Sequence, residues 1–278
     1  MFFCCPVCGR KLEESAGSLR CKKGHCFDRA RSGYVNLLLA NRMHAKLPGD
    51  NREMVAARSR FLEGGYYAPL QNALCEQVLA FLPQMQAPVL LDSGCGEGYY
   101  TAAVAHAVHQ AAPGASVLGA DISKAALSAA AKRTKEAAFA VASAFALPVP
   151  DDSVDILTSV FSPFCQSEFR RVLKAGGVFL EVIPSARHLF GLKAVLYDRP
   201  YENKVKPYAI AGFAFLNKRE VSGEITLTDP ADIAALFQMT PYAHRTPAEA
   251  VKRLSALPSL RTEIAFEILA YRALPKAD

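Results

Sequence analysis

The sequence of 278 residues lacks the features of a membrane or secreted protein. No apolar run reaches the roughly 18 residues that a membrane span requires. The first residues do not show the basic-then-apolar pattern of a secretory signal, and no internal repeat or low-complexity segment is present. Because 51% of the residues are hydrophobic and 21% are charged, the chain can bury a sizeable core. We expect a cytoplasmic globular protein with no membrane partner.

Cysteine is scarce outside the first 26 residues. Five of the eight cysteines lie in that short stretch, and only Cys75, Cys95 and Cys165 lie elsewhere. A disulfide framework would spread its bridges through the chain, whereas metal ligands cluster. The distribution therefore favours a metal site over a set of disulfides.

The clustered cysteines have the spacing of zinc ligands. Cys5 and Cys8 form a C-x-x-C pair, and Cys21 and His25 follow after twelve further residues. Three sulfurs and one imidazole make a tetrahedral set that zinc favours. Since four protein ligands leave no position for water, we expect a structural Zn²⁺ ion that helps a small module to fold.

The same cysteines allow two other interpretations. Cys4 and Cys26 are next to ligands in sequence, and adjacent residues seldom bind one tetrahedral ion, so we expect neither to be a ligand. Cys5 and Cys8 could instead form a redox pair, but that motif belongs in a βαβ unit, which this segment does not resemble.

Positive charge is concentrated in the N-terminal segment. The net charge is +6, and residues 1–60 contain twelve Lys or Arg against five Asp or Glu, which leaves the rest of the chain nearly neutral. A basic patch attracts phosphates, so this segment is expected to contact a nucleic acid. The alternative is a solvated face without a partner. The basic side chains predicted to face phosphates are Arg10, Lys11, Arg20, Lys22 and Lys23.

Three segments are predicted along the chain. Residues 1–42 form the zinc-binding module for RNA recognition, 43–84 a helical linker and 85–278 an α/β domain. In the last segment, short apolar runs alternate with helical patterns through residue 184, which indicates about five parallel strands covered by helices. Two further strands and two helices are expected after residue 184.

A glycine-rich turn joins the first strand of this domain to its first helix. The segment "LLDSGCGEGYYT" places Gly94, Gly96 and Gly98 there, where glycine permits a tight turn and close approach of a ligand. The dinucleotide pattern G-x-G-x-x-G does not fit, because residue 99 is tyrosine. A ligand-free turn with structural glycines is the alternative.

Acidic residues accompany the glycine turn. Asp121 ends the second strand, where a carboxylate can accept both ribose hydroxyls of a nucleoside, and Asp92 could accept from an amino group. Ser143 and Ala144, after the third strand, are candidate neighbours of the adenine. The pattern resembles the S-adenosyl-L-methionine site of class I methyltransferases, and it predicts their Rossmann-like sheet with an N-terminal zinc ribbon.

The whole chain resembles the RlmA-type 23S ribosomal RNA (guanine-N1)-methyltransferases. This resemblance implies methyl transfer from S-adenosyl-L-methionine to N1 of a guanine in a stem-loop of the large-subunit RNA, near the peptide exit tunnel. It also implies a homodimer whose zinc modules help to form an RNA-binding cleft on the large subunit or its precursor. The segments that carry it are "CPVCGRKL", "CKKGHCFDRARSGYVNLL", "PGDNREMVAARSRFLEGGYYAPL", "LDSGCGEGYYT" and "MTPYAH".

The resemblance also assigns residues. The zinc ligands that it implies are all present, and it adds cofactor-site positions at Tyr67, Gly98, Tyr99, Asp121 and His188. The chain departs from its relatives after the fourth strand, where it reads "FSPFCQ". Two subfamilies methylate neighbouring guanines, and the pattern is slightly more similar to the Gram-positive branch.

Methylation at N1 requires that the N1 proton leave. Glu181 and His188 are the candidate bases nearest the strand ends. Glu181 could instead be a solvent-facing strand residue, and His188 could orient the cofactor.

Other functions remain open from the sequence alone. The chain could methylate a small molecule or another RNA base, or it could be an RNA-binding scaffold without activity. Cys165 could be the nucleophile of a C5-pyrimidine methyltransferase, but no supporting motif accompanies it.

Overall fold

The computed structural model describes residues 3–15, 17–39, 49–82, 87–205 and 207–276, apart from the side chain of His244. The predicted domain boundaries near residues 42 and 84 lie outside these ranges, so the division into three segments stays a prediction.

The N-terminal ribbon is a small antiparallel sheet with two tight turns. Its strands, in the order β1-β2-β3, are β1 (Glu13–Ser15), β2 (Ser18–Arg20) and β3 (Cys26–Asp28). Gly9 directly follows Cys8, and Gly24 lies between Cys21 and His25, with φ of 69° and 86°. Only glycine adopts this conformation without strain, so the chain can turn tightly next to the metal ligands in both places.

Eight strands form the main sheet, in the order β10-β11-β9-β8-β5-β6-β7-β4. Neighbours among β4 to β9 run parallel, and β11 runs antiparallel to both β9 and β10. The five strands predicted through residue 184 and the two predicted after it are present, and β4 is an addition. The strands are β4 (Val35–Asn36), β5 (Val89–Ser93), β6 (Ser116–Asp121), β7 (Ala138–Val141), β8 (Val154–Val160), β9 (Leu173–Pro184), β10 (Phe213–Leu227) and β11 (Leu260–Ala273).

Eight α-helices lie in the described part of the chain. Side-chain caps begin three of them: Asn51 accepts from the Met54 amide, Ser123 from the Ala126 amide and Asp229 from the Ala231 amide. The helices are α1 (Arg52–Glu63), α2 (Ala68–Ala80), α3 (Tyr99–Ala111), α4 (Lys124–Arg133), α5 (Gln166–Val172), α6 (Phe190–Leu196), α7 (Pro230–Gln238) and α8 (Ala248–Ser255). None of them has the length and apolar character needed to cross a membrane.

Two large hydrophobic clusters cover the two faces of the main sheet. One contains side chains of α1, α2, α3, α6, α7 and α8. The other joins the sheet to the ribbon, because Phe3, Leu12 and Leu19 pack in the same cluster as Leu118 and Leu147. The ribbon is therefore attached to the sheet through a shared core.

Candidate active site and metal centre

The three glycines of the turn stand in one left-handed loop, for different reasons. Gly94, Gly96 and Gly98 have φ of 79°, 54° and 79°. A Cβ on Gly94 would lie 2.2 Å from the Cβ of Ser162, and one on Gly98 would lie 2.9 Å from the Cβ of Ala130. At Gly96 a Cβ would meet only the guanidinium of Arg58, at 3.5 Å. Gly94 and Gly98 are therefore required because a side chain at either position would clash, whereas Gly96 faces the open side, where a ligand can approach the backbone.

The turn lies at the carboxyl ends of the parallel strands. It follows β5, the strand between β8 and β6 at which the strand order reverses. Ligands of open α/β sheets bind in the crevice at this point. Asp121 and the predicted cofactor residues of the glycine turn therefore meet at the expected edge of the sheet.

Asp92 is buried beneath the turn. Its two carboxylate oxygens accept hydrogen bonds from Thr101 Oγ1 at 2.5 Å and from Thr158 Oγ1 at 3.0 Å. Burial raises the pKa of Asp92 to about 6, although both hydroxyl bonds act to lower it. The arrangement makes Asp92 a support that ties β5 to α3 and β8, and one lone pair on each oxygen remains for a further donor.

Asp121 links the glycine turn to the loop after β6. Its Oδ2 accepts from the Gly96 amide at 2.9 Å and its Oδ1 from the Ser123 amide at 2.8 Å. Burial raises the pKa of Asp121, and these two amide bonds oppose the rise. Each oxygen can accept one more bond, so the carboxylate is held in a fixed orientation with capacity for a pair of hydroxyls.

An ion cluster beside the turn is absent from the sequence-based prediction. The Arg58 guanidinium forms an ion pair with Asp50 and lies 3.7 Å from Glu97, which is 2% exposed. The Ser123 hydroxyl donates to the Asp50 carbonyl at 2.6 Å. Glu97, inside "GCGEG", is a sequence signal for this cluster. Its partner Arg58 could not be predicted, because the contact depends on how α1 packs. The segment before α1 therefore closes one side of the predicted cofactor site.

Tyr67 and His188 meet although 121 residues separate them. The Tyr67 side chain is 2% exposed, and its hydroxyl lies 3.2 Å from His188 Nε2. The Ala265 amide donates to His188 Nδ1 at 3.3 Å, so the neutral ring has its proton on Nε2 and donates a hydrogen bond to the Tyr67 hydroxyl oxygen. Burial lowers the pKa of His188 to about 3. The ring is therefore a neutral donor that orients Tyr67.

The two other predicted cofactor residues lie at the rim of the site. Tyr99 is the first residue of α3, and its ring stands under the Arg133 guanidinium at 5.9 Å from the ring centre. The Ser143 hydroxyl accepts from the Phe145 amide at 3.2 Å in the loop after β7. Both are half-buried.

Glu181 lies on the opposite face of the sheet from His188. Its neighbours Leu180 and Val182 belong to the cluster that contains Tyr67, and side chains alternate between the faces of a strand. Glu181 pairs across the sheet with Ser159 and with Leu269, and its charge acts on Tyr271. The structure therefore does not bring the two candidate bases together.

The four predicted zinc ligands converge. Their ligand atoms all lie within 4.8 Å of one another. Cys8 Sγ and Cys21 Sγ are 3.7 Å apart, and His25 Nδ1 is 3.4 Å from Cys5 Sγ and from Cys21 Sγ. Zn–S bonds of about 2.3 Å and Zn–N bonds of about 2.0 Å separate tetrahedral ligand atoms by roughly 3.4–3.8 Å. The residues fit a closed zinc site.

The neighbouring cysteines stand apart from this cluster. Cys26 is exposed and Cys4 is buried, and neither belongs to the metal-ligating group found among the described residues. The Cys4 amide instead donates to the Pro148 carbonyl at 2.7 Å, which anchors the ribbon to the loop after β7.

The basic side chains predicted to face phosphates are all exposed on the ribbon. Part of the N-terminal positive charge is used within the protein. Arg29 pairs with Glu14, and Arg60 pairs with Asp229 and Asp232. The five predicted cations Arg10, Lys11, Arg20, Lys22 and Lys23 form no ion pair with a carboxylate among the described residues, so they remain available for phosphates.

A cavity of about 560 Å³ lies between the ribbon and the amino ends of β6 and β7. It is lined by charges of both signs, including Lys11, Arg29 and Glu136. Because it is at the sheet edge opposite the glycine turn, it is not part of the cofactor site.

The strand order and the glycine turn with its acidic partner define a class I methyltransferase. Residues 91–180 match the family model of a methyltransferase domain, and residues 3–46 match the model of the RlmA N-terminal zinc ribbon. The chain is 33% identical to the 23S rRNA (guanine(748)-N(1))-methyltransferase of Streptomyces fradiae, covering 92% of this chain and 91% of the relative. It is 37% identical to a Micromonospora griseorubida protein provisionally named 23S rRNA (guanine-N(1)-)-methyltransferase, covering 91% and 90%. The chain belongs to the family of RlmA-type 23S rRNA (guanine-N1)-methyltransferases.

Among solved structures, the YcgJ protein of Bacillus subtilis has a similar fold. The TM-score is 0.50 at 18% identity, and the match covers 73% of this chain and 98% of that chain. This likeness concerns the fold alone. Together, the family matches and the geometry confirm the predicted fold class, the methyltransferase activity, S-adenosyl-L-methionine as cofactor and the structural zinc ion.

Proposed function

We propose that this protein methylates N1 of a guanine in a stem-loop of 23S rRNA near the peptide exit tunnel. The observation that carries the proposal is the similarity over both modules to relatives that are named for this reaction. We also propose that it acts in the cytoplasm, on the large subunit or its precursor, as a homodimer whose ribbons contact the RNA.

The residues around the turn have separate roles in holding the cofactor. Asp121 accepts hydrogen bonds from the ribose hydroxyls, since its carboxylate is fixed by two amides and retains acceptor capacity. Gly96 allows the ligand to lie against the backbone. Tyr67, oriented by His188, fixes the cofactor next to the target base. When bound, S-adenosyl-L-methionine supplies an electrophilic methyl group.

N1 lies on the Watson–Crick edge of guanine, so the base must turn out of its stack to reach the methyl group. The new bond joins N1 to the methyl carbon as the carbon–sulfur bond breaks, and the N1 proton leaves. His188 is neutral, and both of its ring nitrogens already take part in hydrogen bonds. We therefore assign His188 to positioning. Glu181 lies on the opposite face of the sheet, so the N1 proton leaves to water.

The test is primer extension on 23S rRNA that has been incubated with purified protein and S-adenosyl-L-methionine. A methyl group on N1 blocks Watson–Crick pairing, so reverse transcriptase is expected to stop one nucleotide before the target. Asp121→Asn protein serves as the matched control. The same incubation with S-adenosyl-L-methionine labelled in its methyl group shows whether the RNA is methylated at all. Labelled RNA without a stop would point to another atom or base, and RNA without label would point to a small-molecule substrate. Sedimentation of the purified protein tests the homodimer separately.

A further inference from the structure

Phe161 has an unusual backbone conformation at the carboxyl end of β8. Its φ is 53°, in the left-handed region that glycine prefers. Its amide donates to the Val182 carbonyl of β9 at 3.2 Å, so the strained residue is held by the sheet. Strained non-glycine residues persist where the surroundings fix them, and they concentrate at functional sites.

The ring of Phe161 is also exposed. It is 46% accessible, although its centre lies 5.5 Å from the centre of the buried Phe266 ring. A large apolar side chain that only filled the core would be covered. The left-handed backbone instead directs a ring with a free surface out of the sheet edge.

This ring stands between the two halves of the cofactor site. On one side, the next residue, Ser162, donates to the Ser93 carbonyl at 2.6 Å and packs against Gly94. On the other side, Phe266 contacts His188, with ring centres 4.5 Å apart, and Tyr67, at 4.8 Å. The exposed surface of Phe161 thus lies beside residues on both sides that would hold the cofactor.

The segment that carries Phe161 is anchored at both ends. Ser162 Oγ lies 2.8 Å from Ser159 Oγ, and Phe164 packs against the buried rings of Phe169 and Phe179. An exposed ring on a rigid support loses little conformational freedom when it binds a flat partner.

We propose that Phe161 stacks on the target guanine and holds N1 in line for methyl transfer. This inference rests on the proposed function, because it takes the substrate base from it. Turned-out bases are commonly held by stacking on aromatic side chains, and each such contact corresponds to about 10- to 100-fold in affinity.

The experiment measures methylation of a 23S rRNA hairpin transcript by four variants. Phe161→Ala is expected to lower kcat/KM for RNA by about 10- to 100-fold, whereas Phe161→Trp keeps a stacking ring and retains most activity. Phe161→Gly relieves the strained φ, so it should unfold at the same or a higher temperature while losing activity like the alanine variant. Phe215→Ala, which removes a ring of 43% exposure on edge strand β10, is the matched control.

Calorimetry of S-adenosyl-L-methionine binding separates the outcomes. All four variants are expected to bind the cofactor like the wild type. Wild-type levels of RNA methylation in Phe161→Ala would overturn the stacking role and leave the proposed function intact. A change in cofactor affinity as large as the loss of activity would overturn it too, in favour of a cofactor contact. A wild-type protein that methylates no guanine would overturn both.

Discussion

The ribbon and the main sheet are stabilised in different ways. The ribbon has three strands of three residues each, and its main large buried side chains are Phe3, Leu12 and Leu19. The sheet is covered on both faces by extensive clusters of buried side chains. A module of about 40 residues buries too little surface to fold on hydrophobic burial alone. Metal binding therefore supports the part that carries the basic residues, while ordinary packing supports the part that holds the cofactor.

Removing a zinc ligand should produce the largest difference between the two regions. Cys21→Ser is expected to abolish zinc binding and expose β2 and β3 to solvent, because a structural zinc ion contributes on the order of 10 kcal/mol. Cofactor affinity should stay nearly intact, and RNA affinity should fall. Zinc analysis and amide hydrogen exchange check this. Cys26→Ser, an exposed neighbour outside the cluster, is the control; loss of protection throughout β5 would contradict separate stabilisation.

A substitution of Asp121, at the carboxyl end of β6, should affect the main sheet and not the ribbon. Asp121→Asn replaces one carboxylate oxygen by an NH2 group, which cannot accept from the backbone amide that faces it, and it removes the charge that strengthens the hydroxyl contacts. We therefore expect S-adenosyl-L-methionine affinity to fall by about 10- to 100-fold. Zinc content should not change. Titration calorimetry checks the affinity. Asp152→Asn, on an exposed turn where Asp152 pairs with Lys276, is the control. Unchanged affinity would contradict the role given to Asp121.

The pH dependence of stability should report on His188 inside the sheet region. Its folded pKa of about 3 lies below the ordinary value of 6.5, so the unfolded chain takes up the proton first as the pH falls. The contribution of His188 to the free energy of unfolding is therefore fully present above pH 6.5. Below that pH it declines by about 1.4 kcal/mol per pH unit. Asp92 acts in the opposite direction, because its pKa is raised to about 6.

The comparison of wild type with His188→Gln isolates the histidine. As the pH falls from 6 to 4, the free energy of unfolding of the wild type should decrease steadily relative to that of His188→Gln. Denaturant titrations at several pH values measure it. A difference independent of pH would show that His188 titrates normally.

The smallest effect is expected from a single charge on the ribbon. Lys23→Gln should leave stability unchanged and weaken binding of the rRNA hairpin several-fold, and the slope of log affinity against log salt should fall by about one. As the control, Lys252→Gln removes another exposed lysine, which pairs with Glu249 on α8. Equal effects of the two substitutions would argue against a ribbon-specific RNA contact.

Features with local sequence spacing could be predicted, and features that depend on packing could not. The glycine turn and the zinc ligands lie within short segments, so their spacing carries the information. Tyr67 and His188 came from the family resemblance, because no local pattern joins residues so far apart. Arg58 was missed because its contacts with Asp50 and Glu97 form only when α1 packs beside the turn.

The secondary structure shows the same limit. The residue pattern of "QSEFRRVLKAGG" favours one helix over the whole segment, but α5 ends at Val172 and β9 begins at Leu173. Gly176, with φ of 78°, lies within that strand rather than after a longer helix. Strand β4 has only two residues, and it is a strand because β7 offers an edge for it. Neither boundary is encoded by periodicity alone.

Strand β4 also has a consequence for synthesis of the chain. Val35 pairs with Ala140, so the ribosome must add roughly a hundred residues after β4 before its partner strand exists. During that interval the ribbon has all four of its metal ligands, but not the sheet edge on which it docks. Capture of zinc can therefore give the nascent N-terminus its shape early and keep the apolar side of the ribbon ordered until the sheet is complete.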